Sequence, residues 1–446
     1  MSTPPPPPCY QLHTDHFAQA GNRPTYYSSM REHYGPVAPV EIVPGILGWL
    51  VVSYEAAQEV LLDQESFKKD PTDWAAQLPA DHPVLGMLGP RPNPLFTDNA
   101  QHVRYRRVIS DALASVEPHH LRDLVRVVAD HLINQFVDDG TCDLIRQFAR
   151  PLPSYLFNRL FGQPDDQAPR LVSSLAGLME GVGAEVVAAT REFEGYMGGL
   201  LASKKAHPGP DLATAMMQHP ARLNDGELQH HFVLTVAAGQ EPTTNLLGNS
   251  LLEYFIDDDI YTEVVNGTLD VMPLINRVLA TRPPMANYGA HYARRPVTFH
   301  GRQLLPGMPI LMSYEAAAQD PAVLGTGAHM AWSLGPHTCP ASSMATTITT
   351  IALTQLIHRL PDLQLSVPAN EIRNRPGPYH HALEALPARF TPVTATTRSE
   401  PPWPSNPYTT APQPSQLHQP ASTPASWQSW LPAGACPAGH SPGMPA

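Results

Sequence analysis

Apolar residues recur along most of the chain at the three- and four-residue intervals of helices, and a few short stretches resemble strands. Residues 35–54, "GPVAPVEIVPGILGWLVVSY", combine β-branched residues with proline and glycine and predict two short strands joined by a turn. Residues 55–67 predict a short amphipathic helix, and residues 100–136 have a helical pattern throughout. Residues 295–313 predict a hairpin-like strand pair that turns around positions 305–307. The fold class that follows is mainly α with a small β region.

The strongest helical signal begins at Asn224. Asn224 and Glu227 form a capping-box pattern, and apolar residues then continue for about eight turns. A helix of this length that is apolar nearly all round is expected to cross the middle of the protein. A second helix is predicted after Cys339, where Met344, Ile348 and the apolar residues that follow have helical spacing.

Composition narrows the class of protein. The chain has 446 residues, of which 42% are apolar, and its formal net charge of -12 argues against a general nucleic-acid binder. Its four cysteines contain no Cys-x-x-Cys pair, so neither a disulfide framework nor a zinc knuckle is indicated, and a reducing cytoplasm is the expected location. We see no signal peptide, and no apolar run reaches the length of a membrane span.

The two ends of the chain differ from its middle. Residues 1–9 are proline-rich, and residues 394–446 are dominated by proline, serine and alanine, with no charged residue after position 400. Both ends are predicted to be disordered, which leaves residues 10–393 as one large folded domain. The tail contains Trp403, Trp427 and Trp430, which suit either a docking peptide for a protein partner or disorder with exposed apolar residues.

Cys339 lies in "WSLGPHTCPA", just before the last predicted helix. Most buried lone cysteines are small apolar residues and nothing more. At a helix N-terminus, however, backbone N–H groups and the helix dipole stabilise a thiolate. Gly335 and Pro340 indicate a tight loop that exposes the sulfur, and such a thiolate suits an axial metal ligand.

This segment resembles the haem-ligand loop of the cytochrome P-450 superfamily, Phe-Gly-x-Gly-x-His-x-Cys-x-Gly. Gly335, His337 and Cys339 match that pattern, whereas Trp332, Ser333 and Ala341 replace its phenylalanine and two of its glycines. Other segments agree in order and spacing, including "LFTDNAQHVRYRRVISDAL", "AAGQEPTTN" and "EALPARF". The resemblance covers nearly all of residues 10–393 and is greatest to the soluble actinobacterial members.

The resemblance implies haem b (iron protoporphyrin IX) as the cofactor, with Cys339 as the iron ligand and Gly335 shaping the loop. It implies that His102 and Arg106 reach the haem propionates, although an arginine-rich solvated helix face is the alternative. His337 is expected on a propionate, or else in a capping role. His291 lies within one residue of the position where the family usually has an arginine for the same task.

The segment "AAGQEPTTN" corresponds to the oxygen-binding groove of the family's central helix. The catalytic candidates there are Ala238, Gly239, Glu241, Pro242 and Thr243. Pro242 stands where the family has threonine, whose hydroxyl helps to hold bound oxygen. Glu241 is a candidate for proton relay or for an ion pair that only lines the groove.

A second departure concerns the family's Glu-x-x-Arg pair. Pro283 and Pro284 set the register, which puts Arg277 at the glutamate position and Ala280 at the arginine position. Both members are therefore missing together, as in an actinobacterial branch of the family. We expect position 277 to lie in a buried region, where a single restored carboxylate would be destabilising.

The function implied by the resemblance is monooxygenation of a small organic substrate. Electrons would come from NAD(P)H through ferredoxin and ferredoxin reductase, because no reductase domain is fused to this chain. The alternative is a haem-binding protein with little oxygenase activity, acting by interaction or regulation, or using peroxide. The altered motifs and the tail motivate this alternative.

Overall fold

The computed structural model describes residues 9–19, 21–180, 184–257 and 270–395. The two predicted disordered ends therefore lie almost entirely outside the described residues. The helices within these ranges are α1 Asp15–Ala18, α2 Arg23–Tyr34, α3 Tyr54–Leu62, α4 Thr72–Ala75, α5 Leu85–Leu88, α6 Asn99–Ala114, α7 Pro118–Ile133, α8 Pro151–Leu160, α9 Ala168–Glu180, α10 Ala184–Ala206, α11 Leu212–Met217, α12 Asp225–Ile256, α13 Val271–Thr281, α14 Tyr314–Ala318 and α15 Ser342–Arg359.

The strands are short, and six of them form the main sheet in the order β1-β2-β3-β9-β6-β4. Their bounds are β1 Tyr10–Gln11, β2 Val37–Val43, β3 Ile46–Val51, β4 Phe67–Lys68, β5 Thr141–Asp143, β6 Asn287–Ala293, β7 Val297–Phe299, β8 Arg302–Leu304, β9 Ile310–Ser313, β10 Gln364–Leu365 and β11 Pro387–Arg389. The predicted hairpin of residues 35–54 is confirmed, because β2 and β3 pair in antiparallel fashion. The mainly helical fold with a small sheet is confirmed as well.

The hairpin predicted in residues 295–313 turns at a different place. β7 pairs with β8 across His300 and Gly301, whereas β9 pairs in parallel with β3 and antiparallel with β6. Both turn residues have positive φ, 45° at His300 and 76° at Gly301, which is the backbone conformation that tight two-residue hairpins require. The expectation of a turn around positions 305–307 was wrong because this local preference outweighed the Pro-Gly signal there.

The helical stretch of residues 100–136 divides into α6 and α7. The break falls at Ser115–Glu117, and Pro118 occupies the first turn of α7. Proline is accepted at this position because its missing N–H has no partner inside the helix.

The central helix α12 is one continuous helix of 32 residues. Its N-terminus carries both capping-box bonds, in which Glu227 N–H donates to Asn224 Oδ1 at 3.0 Å and Asn224 N–H donates to Glu227 Oε2 at 2.9 Å. From Gln240 to Leu252 every residue of α12 except Pro242 is buried, so this helix does cross the core.

Two hydrophobic cores flank the site. One is mainly helical and surrounds α7, α8, α12 and α15, and the other lies on the six-stranded sheet with α2 and α3. In the described ranges, no helix combines the length and the apolar character that crossing a membrane requires. Cys142 and Cys339 are free thiols, whereas Cys9 is disulfide-bonded, contrary to the expectation from the cysteine pattern.

Candidate functional site

The loop before α15 holds Cys339 in a fixed place. A turn of 3-10 helix spans Gly335–His337, and the Cys339 N–H donates to the carbonyl of Trp332 at 2.8 Å. Gly335 has a φ of 68°, and a Cβ there would lie 2.7 Å from the carbonyl oxygen of Leu61. Glycine is therefore required at 335 for both conformation and space. Ser333 adopts a φ of 61° without being glycine.

The Cys339 thiol is partly buried at the N-terminus of α15. Burial raises the pKa of Cys339, while the N–H of Ala341 and the charge of Arg106 act in the opposite direction. The helix terminus thus supplies the expected N–H donor. A thiol in this setting becomes a thiolate when a cation binds it, because thiolate is the form that ligates metals.

The four basic residues predicted to hold propionates lie together in the structure. The rings of His102 and His337 have centroids 4.1 Å apart, and the Arg106 guanidinium donates to the carbonyl of Thr338. His291 lies near His337 as well: burial is the largest cause that lowers the pKa of His337, and Lys69, His102 and His291 follow. We call His102, Arg106, His291, His337 and the neighbouring Lys69 the basic cluster.

Lys69 was missed at the sequence level. It follows β4, and only 4% of its surface is exposed. Its charge lowers the pKa of His102, His291 and His337, after burial as the largest cause in each case. Its sequence context, "SFKKDP", is that of an ordinary surface lysine pair, so no local signal marked it.

The basic cluster fits the carboxylates of a haem. Buried basic side chains in mutual contact are destabilising unless an anion joins them. The Nε2 atom of His102 is buried without a hydrogen-bond partner, as expected of a group whose partner belongs to a ligand. No three His, Cys, Asp or Glu side chains in the described part of the chain are arranged to hold a metal ion by themselves. A single thiolate beside a basic cluster is the donor set that iron protoporphyrin needs.

The face of α12 that includes Ala238 borders open space. Ala238 is exposed in the middle of a buried helix, and Pro242, one turn further along the same face, is partly exposed. The segment from Ala331 to Thr347 is mostly partly exposed, and α12 packs against α15. We interpret this shared exposure as two walls of one cavity.

Two other groove residues, Gly239 and Thr243, are in closer contact with the protein interior. An added Cβ at Gly239 would lie 2.1 Å from the ring of Phe157, so glycine permits close packing of α12 on α8. Thr243 is buried, with 5% of its surface exposed. The structure therefore brings Ala238 and Pro242 to one exposed face of α12, whereas Gly239 packs against Phe157 of α8 and Thr243 is buried.

Glu241 is buried in an ion pair. Arg375 donates to its Oε1, and the Asn245 amide donates to the same oxygen at 3.3 Å. Burial by itself would raise the pKa of Glu241, but the charges of Arg375, His380 and Arg150 outweigh it and lower the pKa. The carboxylate is thus ionised and fixed, as the ion-pair alternative proposed, and its proton-relay role remains a prediction.

Arg277, at the glutamate position of the missing Glu-x-x-Arg pair, is more exposed than we expected. The Arg277 side chain is 47% exposed and pairs with Asp257, with Glu253 at 3.6 Å. The assumption that position 277 is buried was therefore wrong, because this face of α13 is turned towards the charged C-terminal end of α12. Arg277 has both acidic partners and solvent.

A buried ion pair exists elsewhere. Arg23 on α2 donates to Glu315 on α14 at 3.0 Å, with side-chain exposures of 0% and 2%. Tyr27 OH lies 3.3 Å and His381 Nδ1 3.5 Å from the same carboxylate. No sequence signal could have found this pair, because its members are 292 residues apart.

Known proteins with similar sequences are bacterial cytochromes P-450 and monooxygenases, which agrees with the thiol and the basic cluster described above. Cytochrome P-450 107B1 of Saccharopolyspora erythraea is 29% identical over 399 residues, covering 84% of this chain and 96% of that protein. The mycinamicin IV hydroxylase/epoxidase of Micromonospora griseorubida is 26% identical, covering 76% of this chain and 88% of that protein. No family model matches the chain.

Solved structures resemble this one over their whole length. CYP154C4 from a Streptomyces species superposes with a TM-score of 0.78 at 25% identity, covering 85% of this chain and 98% of that one. CYP154A1 of Streptomyces coelicolor superposes with a TM-score of 0.73 at 25% identity, covering 86% of this chain and 100% of that one.

Proposed function

Since this chain belongs to the bacterial cytochrome P-450 monooxygenases, we propose that it binds haem b through Cys339 and oxidises a small organic substrate. One atom of dioxygen enters the substrate and the other leaves as water. The two electrons come from NAD(P)H through ferredoxin reductase and ferredoxin. Relatives named 2-hydroxy-5-methyl-1-naphthoate 7-hydroxylase and mycinamicin IV hydroxylase/epoxidase support a small organic substrate class without identifying its members.

The observation that carries this proposal is the position of one free thiol beside the basic cluster. Cys339 would ligate the iron, and His102, Arg106, His291 and His337 would hold the propionates by hydrogen bonds and charge. When bound, a haem with a thiolate ligand supplies the activation of dioxygen that C–H oxidation requires.

The residues of α12 act on the opposite wall of the cavity. Ala238 would leave room for haem and substrate because its side chain is a single methyl group. Pro242 presents an apolar ring and no N–H on the same face, so this chain supplies no hydroxyl there. Glu241 is the ionisable residue of α12 that directly precedes Pro242. It can pass a proton through water once Arg375 moves away from its carboxylate.

The ligand assignment is tested by spectroscopy. The reduced holoprotein with carbon monoxide should show the strongly red-shifted Soret band of a thiolate adduct, and Cys339→Ser should abolish it. Cys142→Ser is the matched control, because Cys142 is also a free and largely buried thiol but lies on β5. Retention of the band in Cys339→Ser would refute the assignment.

A second candidate function is haem binding with little oxygenase activity, or with peroxide as the oxidant. Pro242 favours it, because the chain lacks the hydroxyl donor that the family places at this position of the groove. Product yield with surrogate ferredoxin and reductase, compared with yield on hydrogen peroxide, distinguishes the two functions. The cytoplasmic location stays a prediction from composition, and cell fractionation tests it.

A further inference from the structure

We propose that Lys69 binds a haem propionate and is, beside Arg106, the second non-imidazole donor to the haem carboxylates. This inference rests on the proposed haem binding and adds a residue to it that neither the motif nor the spacing indicated.

The backbone around Lys69 is tied to the helix that carries His102. The carboxylate of Asp98, which is the N-cap residue of α6, accepts from the N–H of Lys69 at 2.9 and 3.1 Å and from the N–H of Asp70 at 3.1 Å. Lys69 is therefore held in register with α6 rather than on a mobile loop. A Cβ on Gly289, two residues before His291, would lie 3.9 Å from Lys69 Nζ, which places the ammonium beside β6.

The ammonium has no partner of its own. Lys69 Nζ makes no hydrogen bond or ion pair within 4 Å with any residue that the structure describes, although the side chain is nearly fully buried. Asp98 does not fill this role, since its oxygens accept from two backbone N–H groups and lie 3.5 Å from Arg294. A buried ammonium without a countercharge is costly, so the site is completed by an anion.

Charge counting identifies that anion. Haem b has two propionates, and Arg106 and Lys69 are the two members of the basic cluster that are not imidazoles. Burial lowers the pKa of Lys69 to about 7, with the charge of Asp98 acting in the opposite direction. A carboxylate beside the amine favours its charged form and would raise that pKa again. The guanidinium of Arg106 and the ammonium of Lys69 together match the two carboxylates. The three histidines then serve mainly as neutral hydrogen-bond donors.

The first experiment compares haem retention in three single variants of the holoprotein. Haem transfer to excess apomyoglobin should be about 10-fold faster or more in Lys69→Met, as expected for loss of a charge-assisted bond. Lys69→Arg should remain near the wild type. Lys68→Met is the matched control, because Lys68 pairs with the exposed Asp73 on the protein surface. Equal rates in Lys69→Met and Lys68→Met would overturn the proposal.

The second measurement is the midpoint potential of the haem iron in the substrate-free protein. Loss of a nearby positive charge favours the ferric state, so Lys69→Met should lower the potential and Lys69→Arg should not. An unchanged midpoint potential in Lys69→Met would contradict a propionate contact. It is the result expected if Lys69 contacts only the substrate.

A compensating variant separates a specific role from misfolding. In Lys69→Met, the additional change His291→Arg returns a permanent cation to the same place and should slow haem loss again. If the double variant loses haem as fast as Lys69→Met, the charge argument is wrong. A wild-type protein without any thiolate-haem spectrum would refute the proposed function itself, whereas an intact spectrum with no effect of Lys69→Met would refute only this inference.

Discussion

Replacing Glu315 with glutamine should lower the free energy of unfolding at pH 7 by about 3 to 5 kcal/mol. The substitution keeps the shape of the side chain but leaves the guanidinium of Arg23 buried without a countercharge, since the exposures of the two side chains are 0% and 2%. Glutamine still accepts one hydrogen bond, so the predicted loss comes from charge rather than from packing.

The predicted loss in free energy of unfolding agrees with the strong preference of Glu315 for its ionised form. Burial by itself would raise the pKa of Glu315, but His381 and Arg23 outweigh it and hold the pKa at about 2 rather than 4.5. A difference of this size corresponds to about 3 kcal/mol of preferential interaction with the ionised form. The protein environment thus favours the carboxylate by about as much as a broken buried pair is known to cost.

The assay is urea denaturation of the holoprotein, followed by circular dichroism, for Glu315→Gln, Arg23→Met and the double variant. The double variant should be less destabilised than the two single changes added together, because it removes both charges. Asp123→Asn is the matched control, since Asp123 pairs with Arg126 on the surface of α7 and should cost at most about 0.5 kcal/mol. A Glu315→Gln loss as small as that of the control, or strict additivity of the two buried changes, would refute the reasoning.

Four further predictions follow from single positions. Pro242→Thr should increase the product formed per reductant consumed and decrease hydrogen peroxide release, and tight coupling in the wild type that is lost on substitution would contradict our interpretation of the groove. Arg277→Glu should destabilise the protein by about 0.5 to 1 kcal/mol through repulsion by the acidic end of α12, and an effect of several kcal/mol in thermal unfolding would indicate burial after all. Glu227→Gln keeps the capping box but loses the ion pair with Arg104, which is the largest cause that holds the pKa of Glu227 at about 2. That pKa lies below the unfolded value near 4.5. The wild type should therefore have a higher free energy of unfolding than Glu227→Gln, with the full difference above pH 4.5 and a smaller one as the pH falls towards 2 in a denaturation series. Ser333→Ala should lower the free energy of unfolding by about 1 kcal/mol, because the strained backbone stays and the hydroxyl contact with buried Tyr314 is lost. Ser333→Gly should be nearly neutral in the same measurement, because relief of the backbone strain offsets that loss.

The sequence by itself was sufficient for features whose causes are local. The capping box of Asn224 and Glu227, the long apolar pattern of α12 and the paired strands β2 and β3 depend on neighbours within a few residues, and all were confirmed. The loop around Cys339 was recognisable for the same reason, because its glycine, histidine and cysteine act at fixed spacing within one turn. The hairpin at His300 and Gly301 was misplaced because two competing local signals lay close together.

Tertiary structure alone decided which distant side chains share an environment. Lys69 and His291, Glu241 and Arg375, and Arg23 and Glu315 meet because separate helices and strands pack against one another. Packing also determined that Arg277 is half-exposed beside two carboxylates and that Thr243 is buried. The physical reason is that burial and electrostatic interaction depend on distances through space, and these are set only when the whole chain has folded.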